Sequence, residues 1–232
     1  MHFSKTFENV PISHLDAVKD SFINAPTEIL NIIERTSDKL NIASCRSKLN
    51  SSGMFVTETP HYSEKYNVIR MDNNKDPEEY AITFRHEYGH FADAQLGRPS
   101  MNELFEQAIT ADFDWYNPES NIGKDNLCDM LSELEQNESM LQSRYFSDIL
   151  SGMLHNERLV IDTYLDNNMG YYSHSNSYWD GITGPPKAKE REIFANLFAI
   201  YAENNSSTVD FVEKFLPNTT SRFKSMIGGK VA

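Results

Sequence analysis

The sequence predicts an α+β fold that is mostly helical and contains one small sheet. Within residues 41–71, three short extended segments are separated by turn-forming residues. A long helical pattern over residues 76–99 follows them, and further helical patterns continue along the chain. The chain has 232 residues, enough for one domain with a buried core. We expect that domain to span residues 41–232. Residues 1–40 would then be an N-terminal helical extension that docks on a partner or occludes a cleft.

The first half of the chain is predicted to form two helices and then three strands. The helical patterns cover residues 14–25 and 26–40, and Pro26 suits the start of the second. The strands are predicted at residues 42–45, 54–57 and 66–71. We expect the last strand to run along the edge of the active-site cleft, where an extended peptide can add through backbone hydrogen bonds.

Both ends of the next helix are marked by residues that favour helix termini. Asp76 is a suitable N-cap, Pro77 fits the first helical position, and Glu79 completes a capping box. Gly97 and Pro99 predict the end of the helix. Between them, aromatic residues recur every three or four positions and predict a buried stripe: Tyr80, Phe84, Tyr88 and Phe91.

A second face of this helix carries the pattern His86-Glu87-Tyr88-Gly89-His90. Residues four apart lie on the same helical face, so His86 and His90 can point toward one ion. In this pattern the histidines bind zinc and the glutamate, here Glu87, acts as general base. Two histidines at this spacing also occur as an exposed polar pair or as hydrogen-bonded core residues. A third ligand is therefore needed to support the metal site.

Helical patterns continue after this helix. Ser100 and Glu103 form a second possible capping box, which predicts a helix that reaches residue 115 or 116. Further helices are predicted over residues 124–136 and 143–154, with Cys128 at core spacing in the first. Residues 168–186 are rich in aromatic and turn-forming residues, without a helical period. Such a segment is typical of a functional loop or of an aromatic plug over a core.

The most apolar helical pattern covers residues 190–202 and contains the best candidate for a third ligand. Glu192 lies on one face with Ala195 and Asn196, while larger apolar residues cover the other faces. A buried carboxylate needs a cation, and the ion held by the two histidines would supply it. Asn196 could then hydrogen-bond a ligand. Glu190 lies about 200° away on the helical wheel, so we expect it to be a solvated charge. Weaker rivals for the ligand role are His155, His174 and Asp148.

The segments HEYGHFAD (86–93) and EIFANLF (192–198) resemble those of the gluzincin metallopeptidases. The resemblance is greatest to the catalytic domain of anthrax lethal factor and to peptidase domains of polymorphic toxins and phage heads. It implies a zincin-like fold with the small sheet beside the helix of the histidines, one zinc ion held by His86, His90 and Glu192, and a supporting role for Asp93. Residues 172–179 resemble a Gly-His…Ser-Tyr-Trp element of some members, with Tyr172 in place of the glycine. By that resemblance, His174 or Tyr178 would donate to the oxyanion.

These features together predict a zinc-dependent endopeptidase. The toxin-like resemblance extends the hypothesis to a bacterial toxin or effector that is exported by a dedicated secretion system and cleaves a specific protein in a target cell. One alternative is a phage-head-associated or structural protein with a non-catalytic metal site. Another is an acidic module that binds a basic partner without catalysis.

Composition limits the partners that we expect. The formal net charge of −13 opposes binding to nucleic-acid phosphates and favours a substrate with a basic segment, although solubility is its simplest explanation. No apolar run reaches the roughly 20 residues that cross a bilayer, so no membrane span is expected. The first residues lack a secretory signal pattern, which predicts synthesis in the cytoplasm. Cys45 and Cys128 are expected to be free thiols.

Overall fold

The structure, a computed structural model, describes residues 7, 10–49, 52–117, 119–137, 145–153, 174 and 176–229. Its helices are α1 (Ile12–Asp20), α2 (Thr27–Thr36), α3 (Pro77–Gln95), α4 (Glu103–Asp114), α5 (Asn121–Gln136), α6 (Tyr145–Met153), α7 (Asn176–Trp179), α8 (Ala188–Glu203), α9 (Ser206–Phe215) and α10 (Pro217–Ile227). Its strands are β1 (Asn41–Ser44), β2 (Ser47–Leu49), β3 (Phe55–Thr57), β4 (His61–Ser63) and β5 (Val68–Met71). The prediction of a mostly helical α+β fold with a small sheet is confirmed. Among the described residues, no helix combines the length and the apolar composition that a membrane crossing requires.

The main sheet has three strands in the order β1-β5-β4. Strand β5 pairs in parallel with β1 and antiparallel with β4, while β2 and β3 form a separate antiparallel ribbon. Strand β5 therefore has a partner on each side, and the prediction that an extended peptide adds to the strand over residues 66–71 is wrong. The outer strands are β1 and β4, and β4 has only three residues, too few to show an alternating pattern in the sequence. A left-handed residue, Asn67 at φ 49°, comes directly before β5.

Helices α1 and α2 pack against the aromatic stripe of α3. Phe22, just after α1, makes edge-on ring contacts with Phe84 and Tyr88, with centroids 6.4 and 5.9 Å apart. Ile29, Ile32 and other apolar residues of α2 belong to the same buried cluster. Two N-terminal helices were predicted and are present, and they share one core with the helix of the histidines. A docking or occluding role for residues 1–40 stays a prediction.

Helix α3 has the ends and the buried face that the sequence predicts. The Asp76 carboxylate accepts hydrogen bonds from the backbone N–H groups of Glu78 and Glu79, at 3.1 and 3.0 Å. All four residues of the aromatic stripe are fully buried. The helix ends before Gly97, whose φ of +84° lies in the region that favours glycine. This rigid helix fixes the position of the opposite face, which carries His86 and His90.

The backbones of α3 and α8 approach each other closely at Gly89. A Cβ atom added there would lie 2.7 Å from the Cα and carbonyl oxygen of Ala195. Real Cβ atoms do not come so close to backbone, so only glycine fits at this contact. The contact lies between the two histidines along α3, and it brings α8 to them.

Two local predictions outside the site are wrong. Ser100 does not cap α4, because Asn102 does so by accepting from the N–H of Leu104 at 2.8 Å. Ser100 is instead fully buried and donates to Asp93. Cys128 is exposed, since the buried face of α5 is formed by Leu127, Met130, Leu131 and Leu134. Both cysteines are free, as expected.

Candidate metal centre

Three donor atoms from α3 and α8 converge at one point. Glu192 Oε2 lies 3.3 Å from His86 Nε2 and 3.2 Å from His90 Nε2. The two imidazole rings are almost perpendicular, with centroids 4.8 Å apart. In a tetrahedral site with bonds of about 2.0–2.1 Å, neighbouring ligand atoms are about 3.3–3.4 Å apart. Both measured separations fit that spacing, so His86, His90 and Glu192 form a group that could hold a metal ion.

Asn196, one turn after Glu192, holds the first histidine in a ligand-like orientation. Its Oδ1 lies 3.0 Å from Nδ1 of His86, and its amide nitrogen donates to the carbonyl oxygen of Glu192 at 2.9 Å. Because an amide oxygen only accepts, Nδ1 must carry the proton in this hydrogen bond. Nε2 of His86 is then free to bind an ion as a neutral imidazole nitrogen. Asn196 therefore hydrogen-bonds one of the two histidines that are predicted to bind the ion.

The charges around this group create a demand for a cation. Burial disfavours the charged form of Glu192, but His90 and His86 outweigh burial and hold its pKa well below the usual range. Burial likewise opposes charging His86, whereas the hydrogen bond to Glu192 and the charge of Glu87 raise its pKa to about 10. Acidic groups therefore attract positive charge to the histidines. A proton can meet this demand, and so can a metal ion.

Glu87 lies beside the three donors but is not one of them. The side chain is 6% exposed, and its Oε2 accepts a hydrogen bond of 2.7 Å from the backbone N–H of Tyr62 in the edge strand β4. One residue of α3 thus faces the sheet while its neighbour, His86, faces α8. This bond holds the carboxylate near the donor group and beside the side of β4 that does not pair with β5.

Tyr178 and His174 also lie at this centre. The Tyr178 hydroxyl donates to Glu192 Oε1, and His174 Nε2 is 3.8 Å from the same oxygen. Their rings stack with centroids 3.7 Å apart. Trp179 fixes the short helix α7 to α6, because its indole N–H donates to Oγ of Ser151 at 3.0 Å. The structure brings both predicted oxyanion donors to Glu192, but their role stays a prediction.

Comparisons with protein-family models, curated proteins and solved structures found no match to this chain. Function is therefore inferred from the geometry of the site and from its charges. Tyr172 and His155, which the sequence also singled out, lie outside the described residues.

Asp148 on α6 was only a weak candidate for a ligand by sequence. In the structure, Asp148, His174 and Glu192 form a second group of side chains that could hold a metal ion, and this group shares Glu192 with the first. Burial and the repulsion of Glu192 raise its pKa to about 7, although the charge of His86 and a hydrogen bond from Asn196 act in the opposite direction. The sequence does contain a signal for this position: Asp148 is a lone acidic residue among Phe146, Ile149 and Leu150, and a carboxylate buried among apolar residues needs a partner.

Two other acidic residues near the site are buried. Asp93 is 3% exposed and accepts hydrogen bonds from the N–H and hydroxyl of Ser100, at 2.9 and 2.6 Å. Its charge acts on His90, so a supporting role is compatible with its position. Glu190 was expected to be solvated, and this is wrong because it is only 9% exposed. It is not a member of either group of potential ligands among the described residues.

Proposed function

We propose that this chain is a zinc-dependent endopeptidase with a zincin-like active site. The carrying observation is the group of His86, His90 and Glu192, with ligand-like spacings and with Glu87 next to it but outside it. A structural zinc site is usually closed by four protein ligands, whereas a catalytic site has three and leaves a position for water. Three donors and an adjacent carboxylate match the catalytic kind.

The roles of the chain's own residues follow from their positions. A bound zinc ion would supply Lewis acidity, polarising the scissile carbonyl and making the attacking water more acidic. Glu87 accepts a proton from that water as it attacks, and then transfers the proton to the nitrogen of the leaving amine. The bond from Tyr62 N–H keeps the Glu87 carboxylate in place. Tyr178 or His174 donates to the developing oxyanion, a contribution of about 3 kcal/mol per donor in other enzymes.

The edge of β4 offers a place for an extended peptide. Its partner β5 covers one side of the strand, and Tyr62 N–H points toward Glu87 on the site's side. A peptide that pairs with this edge would pass the place of the attacking water, which lies between Glu87 and the three donors in the proposed mechanism. Residue 62 rather than residues 66–71 therefore marks the strand that would bind substrate.

The biological role that we propose is that of a bacterial toxin or effector, made in the cytoplasm and exported to act on a specific protein in another cell. The acidic charge would favour a substrate with a basic segment. Expression of the wild type and of Glu87→Gln inside a recipient cell tests this role. Toxicity should require Glu87, and equal toxicity of the two proteins would contradict it.

A structural metal site is the second candidate. It is favoured by the additional donors beside Glu192, namely Asp148, His174 and the Tyr178 hydroxyl, which could close the coordination of an ion. In that case the chain would hold a metal without hydrolysing peptides.

Metal analysis and proteolysis on the same samples separate the two candidates. We expect one zinc per chain in the wild type and in Glu87→Gln, and loss of zinc in His90→Ala. Glu87→Gln should lower kcat for cleavage of unfolded casein by about 10²- to 10⁴-fold. Glu78→Gln, an exposed residue of the same helix, is the matched control. Unchanged cleavage by Glu87→Gln would refute the mechanism, and a zinc-loaded wild type that cleaves nothing would favour the structural site.

A further inference from the structure

Two arginines meet one glutamate at the end of the edge strand. Glu64 comes directly after β4, and its Oε1 forms a close ion pair with Arg98 in the loop after α3. Its Oε2 lies 3.7 Å from a terminal guanidinium nitrogen of Arg191 in α8. One carboxylate balances one of the two guanidinium charges. These three side chains carry a net positive charge, which the buried carboxylate of Asp93, itself held by hydrogen bonds from Ser100, partly offsets.

This group lies beside the candidate active site. Arg191 directly precedes the ligand Glu192. Both arginines meet Glu64 directly after β4, and their charges oppose the rise that burial causes in the pKa of Tyr62 in that strand. The Tyr178 hydroxyl donates to Oε1 of Glu192, the next residue after Arg191. Arg191 thus lies near the residue that follows the edge strand and is adjacent in the chain to the residue that binds Tyr178.

The surrounding charges make this position distinctive. Glu87, Glu192 and Asp148 gather around His86, where a substrate carboxylate would be repelled. The 3.7 Å separation between Arg191 and Glu64 exceeds hydrogen-bond distance, and the Arg191 side chain is 22% exposed. Its planar guanidinium group can therefore donate two parallel hydrogen bonds to a second carboxylate.

We propose that Arg98 and Arg191 form a subsite for a substrate carboxylate, an aspartate or glutamate side chain close to the scissile bond. The inference rests on the proposed endopeptidase function and specifies its substrate. It is compatible with a basic segment elsewhere in the substrate, because the net charge of the whole protein and the local charge at this subsite have opposite signs. Arg191 is the principal specificity residue, and Arg98 holds Glu64 and adds positive charge.

The test uses fluorescence-quenched peptide libraries in which one position at a time is fixed as Glu or as Gln. For zinc-loaded wild type, we expect kcat/KM to favour Glu by about tenfold at one position near the cleaved bond. In Arg191→Gln that ratio should fall to within about twofold, and Arg191→Glu should favour Lys at the same position. Arg35→Gln removes an exposed positive charge of α2 and should keep the wild-type ratio.

Binding gives a second measurement that does not need turnover. In zinc-loaded Glu87→Gln protein, anisotropy of a labelled Glu peptide should show about tenfold weaker binding when Arg191→Gln is added. Circular dichroism should confirm that each variant is folded. A wild type that cleaves peptides without any preference for Glu would overturn the subsite and leave the proposed function intact. A wild type that binds zinc and cleaves no peptide would overturn both.

Discussion

Two buried carboxylates of this protein have very different partners. Asp112 on α4 is 3% exposed and accepts three hydrogen bonds at the start of α10: from the backbone N–H and side-chain amide of Asn218 and from the N–H of Thr219. Glu192 is 4% exposed, and its partners are two imidazoles and a tyrosine hydroxyl. The partners of Asp112 are amide N–H groups, which donate hydrogen bonds and do not bind metal ions.

The histidine partners of Glu192 are different, because an imidazole nitrogen can bind either a proton or a metal ion. A second acidic side chain, Asp148, also lies close to Glu192, whereas Asp112 accepts hydrogen bonds from amide groups at a helix N-terminus. Burial alone therefore does not identify a functional acid. The chemistry of the partners is more informative, and it favours a structural role for Asp112 and the proposed metal-binding role for Glu192.

The largest expected effect tests that contrast through metal binding. Glu192→Gln should weaken zinc binding at least about a hundredfold, because it removes a charged ligand rather than a residue that only orients ligands. Competition with a chromogenic chelator measures the affinity. Asp112→Asn is the matched control, since it neutralises an equally buried carboxylate, and it should bind zinc like the wild type. Equal losses in the two variants would mean that the effect reflects general damage to the fold.

The next effect is on stability. Asp112→Ala removes the acceptor of three hydrogen bonds and leaves the first amides of α10 without a partner. It should lower the free energy of unfolding by about 3 kcal/mol. Urea denaturation in the presence of a chelator measures this without a contribution from metal. Asp210→Ala, an exposed acid of α9, should change it by no more than about 0.5 kcal/mol. A change at Asp112 as small as this control would contradict its structural role.

The smallest effect concerns the contact between α3 and α8, which brings Glu192 to His86 and His90. Gly89→Ala would push α3 away from Ala195, at a cost of about 2 kcal/mol in stability and with weaker zinc binding. The hydrogen bonds that Asp112 accepts from Asn218 and Thr219 should be unaffected. Gly152→Ala is the control, because its added Cβ would have neighbours at 3.5–3.6 Å, an ordinary contact, and alanine favours a helix. Full stability of Gly89→Ala would show that the two helices can separate without loss.

Features that depend on nearby residues were predicted well. The ends of α3, its aromatic stripe and the common face of Glu192 and Asn196 all follow from helical periodicity and end-capping. Ser100 shows the limit of such local rules. Its spacing to Glu103 fits a capping box, but its hydroxyl is taken by Asp93 seven residues earlier, and Asn102 caps the helix instead.

The sequence by itself therefore determined the ends and the buried face of α3, the two histidines and the best candidate for a third ligand, because positions three and four apart share a helical face. Tertiary structure decided which strand lies at the sheet edge, that Asp148 approaches Glu192, and that Arg98 and Arg191 meet at Glu64. These contacts join residues that are far apart in the chain. They depend on how helices and strands pack, which no local pattern encodes.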